Sequence, residues 1–226
     1  MRHEVLSLQD MISQFNLDKV TKSGAKFDLA KLEFLNSMHI RDKFDYTPGN
    51  EAEALEAVGK WRAILIEEMP SGLRDEILRM PDHLLLKVMD MMKIRMRYIH
   101  DIKNHAYFFT SPDYQTELGR KFIEKLKQSP LTNVQILADM EQIMNDIDEN
   151  EFTALELNKA CSLYLYEQNQ KLGAAFTYKN EDVFFLFRYA MTGNPVGAPI
   201  GEISEVIGKK AVLQRLKDAQ QVFRDY

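Results

Sequence analysis

Apolar residues recur along this chain at intervals of three and four, the period of an amphipathic helix. Leu8, Met11, Ile12 and Phe15 share one such face, with Ser7 placed to cap it, which predicts a short helix over 7–15. A loop over 16–28 follows, and Asp28 is the expected cap of a helix over Leu29–Asn36, closed by His39-Ile40-Arg41-Asp42. Thr47-Pro48-Gly49-Asn50 reads as a linker. Beyond it Glu51–Met69 is a long helix whose broad apolar face carries Leu55, Val58, Trp61, Leu65 and Ile66, with Trp61 in the core. Pro70-Ser71-Gly72 breaks it. A short helix over Gly72–Arg79 comes next, and Pro81 begins another that carries Leu84, Leu85, Val88, Met91, Met92 and Arg95 towards Tyr98. Asp113–Gln128, Leu131–Asp146 and Phe152–Leu172 complete the long helices, separated by Pro112, Pro130, Asn150 and Gly173.

The most heavily punctuated stretch lies near the end. A helical run stops at Thr192-Gly193, the turn Asn194-Pro195-Val196-Gly197-Ala198-Pro199 follows, and a second amphipathic run begins at Ile200 and continues to Gly208-Lys209-Lys210. Gly193 can take positive φ after a helix end, whereas Pro195 and Pro199 cannot continue one. A rigid loop between two helix ends is expected, with Arg188 one turn back.

Composition agrees with helices throughout. Over 226 residues, 45% are hydrophobic and 28% charged, enough for a sizeable core in one large domain or two modest ones. Leu, Lys, Glu, Gln and Ala fill the long stretches and β-branched runs are scarce, so the expected fold class is all-α: a helical segment over 1–46, then a helical domain over 51–226 with a subdomain break near 112–130. The single cysteine, Cys161, sits in the apolar run Ala160–Tyr164 as a small core residue, excludes an internal disulfide framework and suits a reducing compartment. The N-terminus has no apolar targeting region and no stretch approaches the ~18 uninterrupted apolar residues of a membrane span, so an untargeted soluble chain is expected.

The net charge of −5 argues against an indiscriminate nucleic-acid binder. Its distribution is uneven. Asp139 to Glu156 is acidic without a Lys or Arg, whereas Lys87, Lys93, Arg95, Arg97 and Lys103 form one basic set and Arg188, Lys209, Lys210, Arg215 and Lys217 another. If the two meet in space they make a phosphate-facing surface; otherwise they are solvated helix faces.

Candidate reaction centres fall away on inspection. Asp146-Ile147-Asp148-Glu149-Asn150 begins like a calcium loop, but the sharp-turn glycine is replaced by Glu151 and the bidentate position is Leu157, leaving an acidic turn. Lys19-Val20-Thr21-Lys22-Ser23 imitates an ATP-phosphate loop without the α/β nucleotide domain or Gly-rich strand-to-helix turn such a loop needs. His100 and His105 are five apart and His3, His39 and His83 are scattered, so no helical metal pair exists; no Gly-x-Ser-x-Gly element occurs either. No catalytic residue, metal or cofactor is expected in this chain.

Three stretches, in order, resemble the C-terminal half of bacterial and organellar glutamyl-tRNA synthetases. The first is Leu6–Asp10 with Val20–Asn36 and Ile40-Arg41; the second is Arg95 with Tyr98-Ile99 and Ala106-Tyr107-Phe108-Phe109; the third is Arg188-x-Ala-x-Thr-Gly, the Pro/Gly turn, Glu202-Ile203 and Ile207-Gly208-Lys209. The resemblance implies a stem-contact segment over 1–46 followed by an anticodon-binding helical cage over 51–226. Lys31 and Phe34 would meet the inner corner of the tRNA, and Arg95, Arg188, Gly197, Ala198 and Pro199 would face the anticodon. It further implies a glutamate-specific tRNA as partner, no membrane or DNA, a cytoplasmic or organelle-matrix setting, and a separate catalytic domain for which alone ATP is implied. The chain itself would then not be catalytic. Unstacked anticodon bases can be stacked on flat side chains or guanidinium groups and hydrogen-bonded at their edges, which a net acidic chain can achieve with few arginines. The rival from another class is a helical protein-interaction scaffold derived from that half and no longer bound to tRNA.

Overall fold

Side chains that cap backbone N–H groups set where the first helices of this protein begin. A computed structural model describes residues 5–20, 23–24, 26–44, 51–117, 120–121, 133–172 and 179–224, and among these there is no strand. Helix α1 (Leu8–Gln14) opens on a capping box: the Ser7 hydroxyl accepts the Asp10 N–H, and the Asp10 carboxylate accepts the Ser7 N–H, both at 3.1 Å. No residue of α1 is buried. Asp28 caps α2 (Leu29–Lys43) by accepting the Lys31 N–H at 3.1 Å. This helix runs past the expected end at Asn36, because Ser37 and Ile40 add a buried turn and carry the chain to Phe44.

The chain divides into two compact units, Met1–Met69 with Pro81–Lys103, and Pro70–Met80 with Asn104–Tyr226. In the first, α2 is followed by α3 (Glu51–Glu68) and α5 (Asp82–Met92), and α3 packs along α5. The Phe44 and Trp61 rings lie 4.0 Å apart, with the Lys43 ammonium 5.6 Å from the Trp61 ring. Such an aromatic pair is worth about 0.5–1.5 kcal/mol beyond the area it buries. Trp61, Leu65, Leu85, Val88 and Met92 form the core. Arg62 pairs with Asp82, and Lys93 donates to the Phe44 carbonyl at 3.3 Å.

A division at 46–51 is where the sequence places a domain boundary. The packing boundary differs: α2 and α3 share a unit through Phe44 and Trp61, and the chain leaves that unit at Pro70 and again after Lys103. Helix α5 also stops short of Tyr98. Its last residue is Met92, where the Arg95 N–H turns back onto the Met92 carbonyl at 2.8 Å; the Asp101 carboxylate then takes the Arg97 and Tyr98 N–H groups at 2.8 and 2.9 Å ahead of a separate 3-10 segment, Ile99–Phe108, kinked at His105.

The second unit contains α4 (Ser71–Arg79), α6 (Asn133–Asp146), α7 (Ala154–Leu172), α8 (Asn180–Thr192), α9 (Ile200–Ile207) and α10 (Lys209–Arg224). The expected helix over Asp113–Gln128 falls largely outside the described residues, as does the start of the one expected from Leu131. Helix α10 lies along α6 and packs against α8, while α9 crosses α7. Met140 and Met144 of α6, Phe187 and Tyr189 of α8, Ile203 of α9 and Leu216 of α10 are fully buried. Between α6 and α7 the acidic turn is a 3-10 segment, Glu149–Glu151, and Asp148 spends its carboxylate on the Asn150 N–H at 2.8 Å. Among the described residues no three or more His, Cys, Asp or Glu side chains gather as a metal site would require, and no helix is long and apolar enough to cross a membrane.

Candidate nucleic-acid interface

The corner after α8 is built by hydrogen bonds local to it. Gly193 ends the helix in the left-handed region at φ 66°, its N–H donating to the Tyr189 carbonyl at 2.7 Å. A side chain there is excluded twice, since a Cβ would also stand 2.5 Å from the Asp113 carbonyl oxygen. The Thr192 hydroxyl lies 2.8 Å from both the Arg188 and Asn194 carbonyls and accepts the Asn194 N–H at 3.1 Å. The Asn194 side chain in turn accepts the Val196 N–H at 3.1 Å, an Asx turn that aims Val196 outward.

Arg188, one turn back on α8, donates from Nη1 to the Ala198 carbonyl at 2.6 Å. Ala198 is fully buried, Gly197 is half-buried and Pro199 is exposed. Gly197 packs so closely that a Cβ on it would lie 2.9 Å from the Tyr107 hydroxyl and 3.4 Å from Arg188 Nη1. Tyr107 itself is buried and its hydroxyl is 3.1 Å from His105 Nδ1.

Beneath the corner sits Arg215, a residue that sequence reasoning counted as surface charge. It is buried, donating to the carbonyls of Met191 at 2.6 Å, Tyr107 at 2.7 Å and Thr110 at 3.0 Å. Burial lowers its pKa to about 10, with Tyr114 and Asp218 opposing the shift, so it remains charged at neutral pH. The Tyr114 hydroxyl lies within hydrogen-bond reach of the Ala190 and Arg215 carbonyls, at 2.7 and 3.2 Å, and burial holds its pKa well above the ordinary tyrosine value. Tyr189 donates to the Tyr114 carbonyl. A signal for this existed: Val212, Leu216 and Ala219 are buried neighbours of Arg215 at helical spacing, placing it on the inner face of α10.

The rest of the second basic set is largely engaged too. Lys209 donates to the Asn145 and Ile147 carbonyls at 2.8 and 2.5 Å, closing the C-terminal end of α6, where a cation is favoured by the helix dipole. Lys217 is 3.7 Å from Glu141, whereas Lys210 is exposed. A continuous phosphate-facing surface from this set is therefore not what the fold builds. In the other unit, Arg95 stands exposed in the turn after α5, with Nη1 on the Met91 carbonyl at 2.8 Å, and Arg97 pairs with Glu33 at 2.8 Å. Lys31 and Phe34 are both exposed, one turn apart on α2. The same N-terminal segment presents Leu8, Ile12, Phe15, Leu17, Phe27 and Leu29 to solvent. Of the imitation ATP loop, Lys19 closes a 3-10 turn, Leu17–Lys19, capped by Asn16, and Thr21 and Lys22 lie outside the described residues.

A family model described as an anticodon binding domain matches residues 53–220. The chain belongs to that anticodon-binding family. It is 28% identical over 226 residues to a glutamate-tRNA ligase of Chloroherpeton thalassium, covering 97% of this chain and 39% of that protein. With glutamate-tRNA ligase 1 of Xanthobacter autotrophicus the identity is 29% over 222 residues, 95% of this chain and 41% of the relative. The crystal structure of a glutamate tRNA ligase from Elizabethkingia meningosepticum, in complex with its amino acid, superposes with a TM-score of 0.72 at 22% identity, covering 97% of this chain and 38% of that one. The chain thus spans about two fifths of the length of the relatives it matches, and corresponds to the C-terminal, anticodon-binding portion of glutamate-tRNA ligase. The family's match begins at residue 53, inside α3, so the family boundary and the packing boundary fall at different places.

Proposed function

We propose that this chain binds glutamate-specific tRNA, meeting its stem with Lys31 and Phe34 and presenting Arg95 and, in the other unit, the corner after α8 as separate candidates for anticodon contact, in the service of a glutamate-tRNA ligase reaction whose chemistry lies outside these residues. The observation that carries the reading is the anticodon-binding match over 53–220, with a corner inside it pinned from both sides. Lys31, Phe34, Arg95 and Pro199 are exposed and suited to direct contact, while Arg188, Gly197 and Ala198 shape the corner. Arg95 is the residue best suited to reading a base edge; by analogy with base-edge readout in DNA, a bidentate arginine contact discriminates by about 1–3 kcal/mol.

A second reading, a helical protein-interaction scaffold, draws support from the engaged basic residues around the corner and from the apolar N-terminal surface. Titrating the chain with glutamate tRNA, and with the same tRNA carrying an altered anticodon, separates the two. The tRNA reading expects salt-sensitive binding, weaker for the altered anticodon, with Arg95→Ala narrowing that difference. Equal and salt-insensitive binding of both tRNAs, or binding of neither, favours the scaffold.

A further inference from the structure

We infer that Glu33 and Asn36 of α2 are positioning residues for Arg95: they grip the turn that carries it, so the helix that presents Lys31 and Phe34 on one face fixes, with the other, the arginine offered to a base. The inference rests on the tRNA-binding reading above and names the residues through which its Arg95 contact becomes selective. Helical spacing puts Lys31, Phe34 and Met38 on one side of α2 and Glu33, Asn36 and Ile40 on the opposite side. Lys31 and Phe34 are exposed, whereas Ile40 is buried. From the inner side the Asn36 amide donates to the Arg97 carbonyl, and Glu33 pairs with the Arg97 guanidinium at 2.8 Å. Arg41, one residue beyond Ile40, adds a donation from Nη2 to the Ile94 carbonyl at 3.4 Å.

These contacts bracket Arg95. The carbonyl before it and the carbonyl two places after it are both taken by α2, its own N–H closes onto the Met92 carbonyl at 2.8 Å, and the Arg97 N–H is taken by Asp101 at 2.8 Å. The exposed Arg95 side chain gives Nη1 to the Met91 carbonyl at 2.8 Å, one of the five donors that a guanidinium carries. Bonds as exposed as those from Glu33 and Asn36 add little to stability. What they restrict is where Arg95 stands. A bidentate contact with a base edge needs two donors aligned at once, and an arginine on a loosened turn loses that alignment while keeping its charge. Attraction to the tRNA then survives loosening of the turn, and discrimination between bases does not.

The test uses the full chain with glutamate tRNA and with the same tRNA carrying an altered anticodon. Fluorescence anisotropy gives the ratio of the two affinities, and the melting temperature is measured for every variant. Arg95→Ala is expected to lower the ratio roughly tenfold. Asn36→Ala is expected to lower it roughly fivefold while the melting temperature stays within about 2 °C. Glu33→Gln should act in the same direction; both tRNAs carry the same phosphates, so the charge it removes cancels in the ratio. In an Arg95→Ala background, Asn36→Ala should cost no further affinity for the unaltered tRNA, because a positioning residue has nothing left to position. A ratio in Asn36→Ala within about twofold of the unaltered chain overturns the inference. So does an equal loss in both backgrounds, the mark of a general structural role or of a contact made by Asn36 itself. If Asn36→Ala does not fold, Glu33→Gln decides by the same cycle. An Arg95→Ala ratio equal to that of the unaltered chain, or failure of the unaltered chain to bind either tRNA, is the separate outcome that overturns the reading of Arg95 as an anticodon contact, and the inference with it.

Discussion

Arg215 shows how much a single buried charge can organise. Its three carbonyl partners belong to the kinked Ile99–Phe108 segment, the loop after it and the end of α8, so one guanidinium joins parts of the chain more than a hundred residues apart in sequence. A planar fork with five donors is suited to such a task and an ammonium on a flexible stem is not. Arg215→Met leaves three carbonyls without that donor and should cost about 3 kcal/mol, lowering the melting temperature by roughly 10 °C in a domain of this size. Arg215→Lys should recover only part of the loss; urea denaturation of both variants measures it, and full recovery by lysine would show that charge alone suffices. The same residue explains why charge counting misjudged this region. A cation near a loop can face phosphate or carbonyl, and the packing of α10 against α8 chose carbonyl.

At the scale of the elements, two helical glycines give opposite expectations from the same substitution. Gly59, inside α3, has nothing within 4 Å of where a Cβ would stand, so Gly59→Ala should stabilise the chain by about 0.5–1 kcal/mol through helix propensity. Gly201, in the first turn of α9, lies against α7: a Cβ there would stand 2.7 Å from Asn158 Nδ2 and 2.8 Å from the Ala154 carbonyl oxygen. Propensity favours alanine here too, but a methyl group in that space must push α9 away from α7, and Gly201→Ala should cost about 1–3 kcal/mol. Thermal unfolding of the two variants checks the pair, and a gain at both positions would mean that the α7 crossing yields easily. Helix lengths follow the same logic of competing partners. Helix α5 ends at Met92, where the Arg95 N–H turns back onto the Met92 carbonyl and Asp101 then takes the Arg97 and Tyr98 amides, and α2 continues to Lys43 because Ile40 and Phe44 find a core.

Across the whole molecule, exposed large apolar side chains concentrate in the N-terminal segment. Leu8, Met11, Ile12 and Phe15 lie at helical spacing as a core-facing stripe would, yet α1 has no buried residue. Changing Leu8 and Ile12 together to Glu should therefore leave the melting temperature within the range of ordinary surface substitutions, about ±0.5 kcal/mol; a large loss would show that α1 contributes to the folded core after all. That stripe marks the limit of periodicity as evidence: it identifies a helix and its apolar face, and says nothing of what the face meets. For most of the chain the amino-acid sequence sufficed to determine the helices, their capping residues Ser7 and Asp28, the buried Trp61 and the turn from Gly193 to Pro199, because these depend on residues within one or two turns of each other. Only the tertiary structure decided the fate of the polar groups. Arg188 binds a carbonyl ten residues ahead, Lys209 one 64 residues back and Arg215 one 108 residues back. Every residue carries a carbonyl, so no pattern in the chain distinguishes the few that accept these cations; the packing of the helices does.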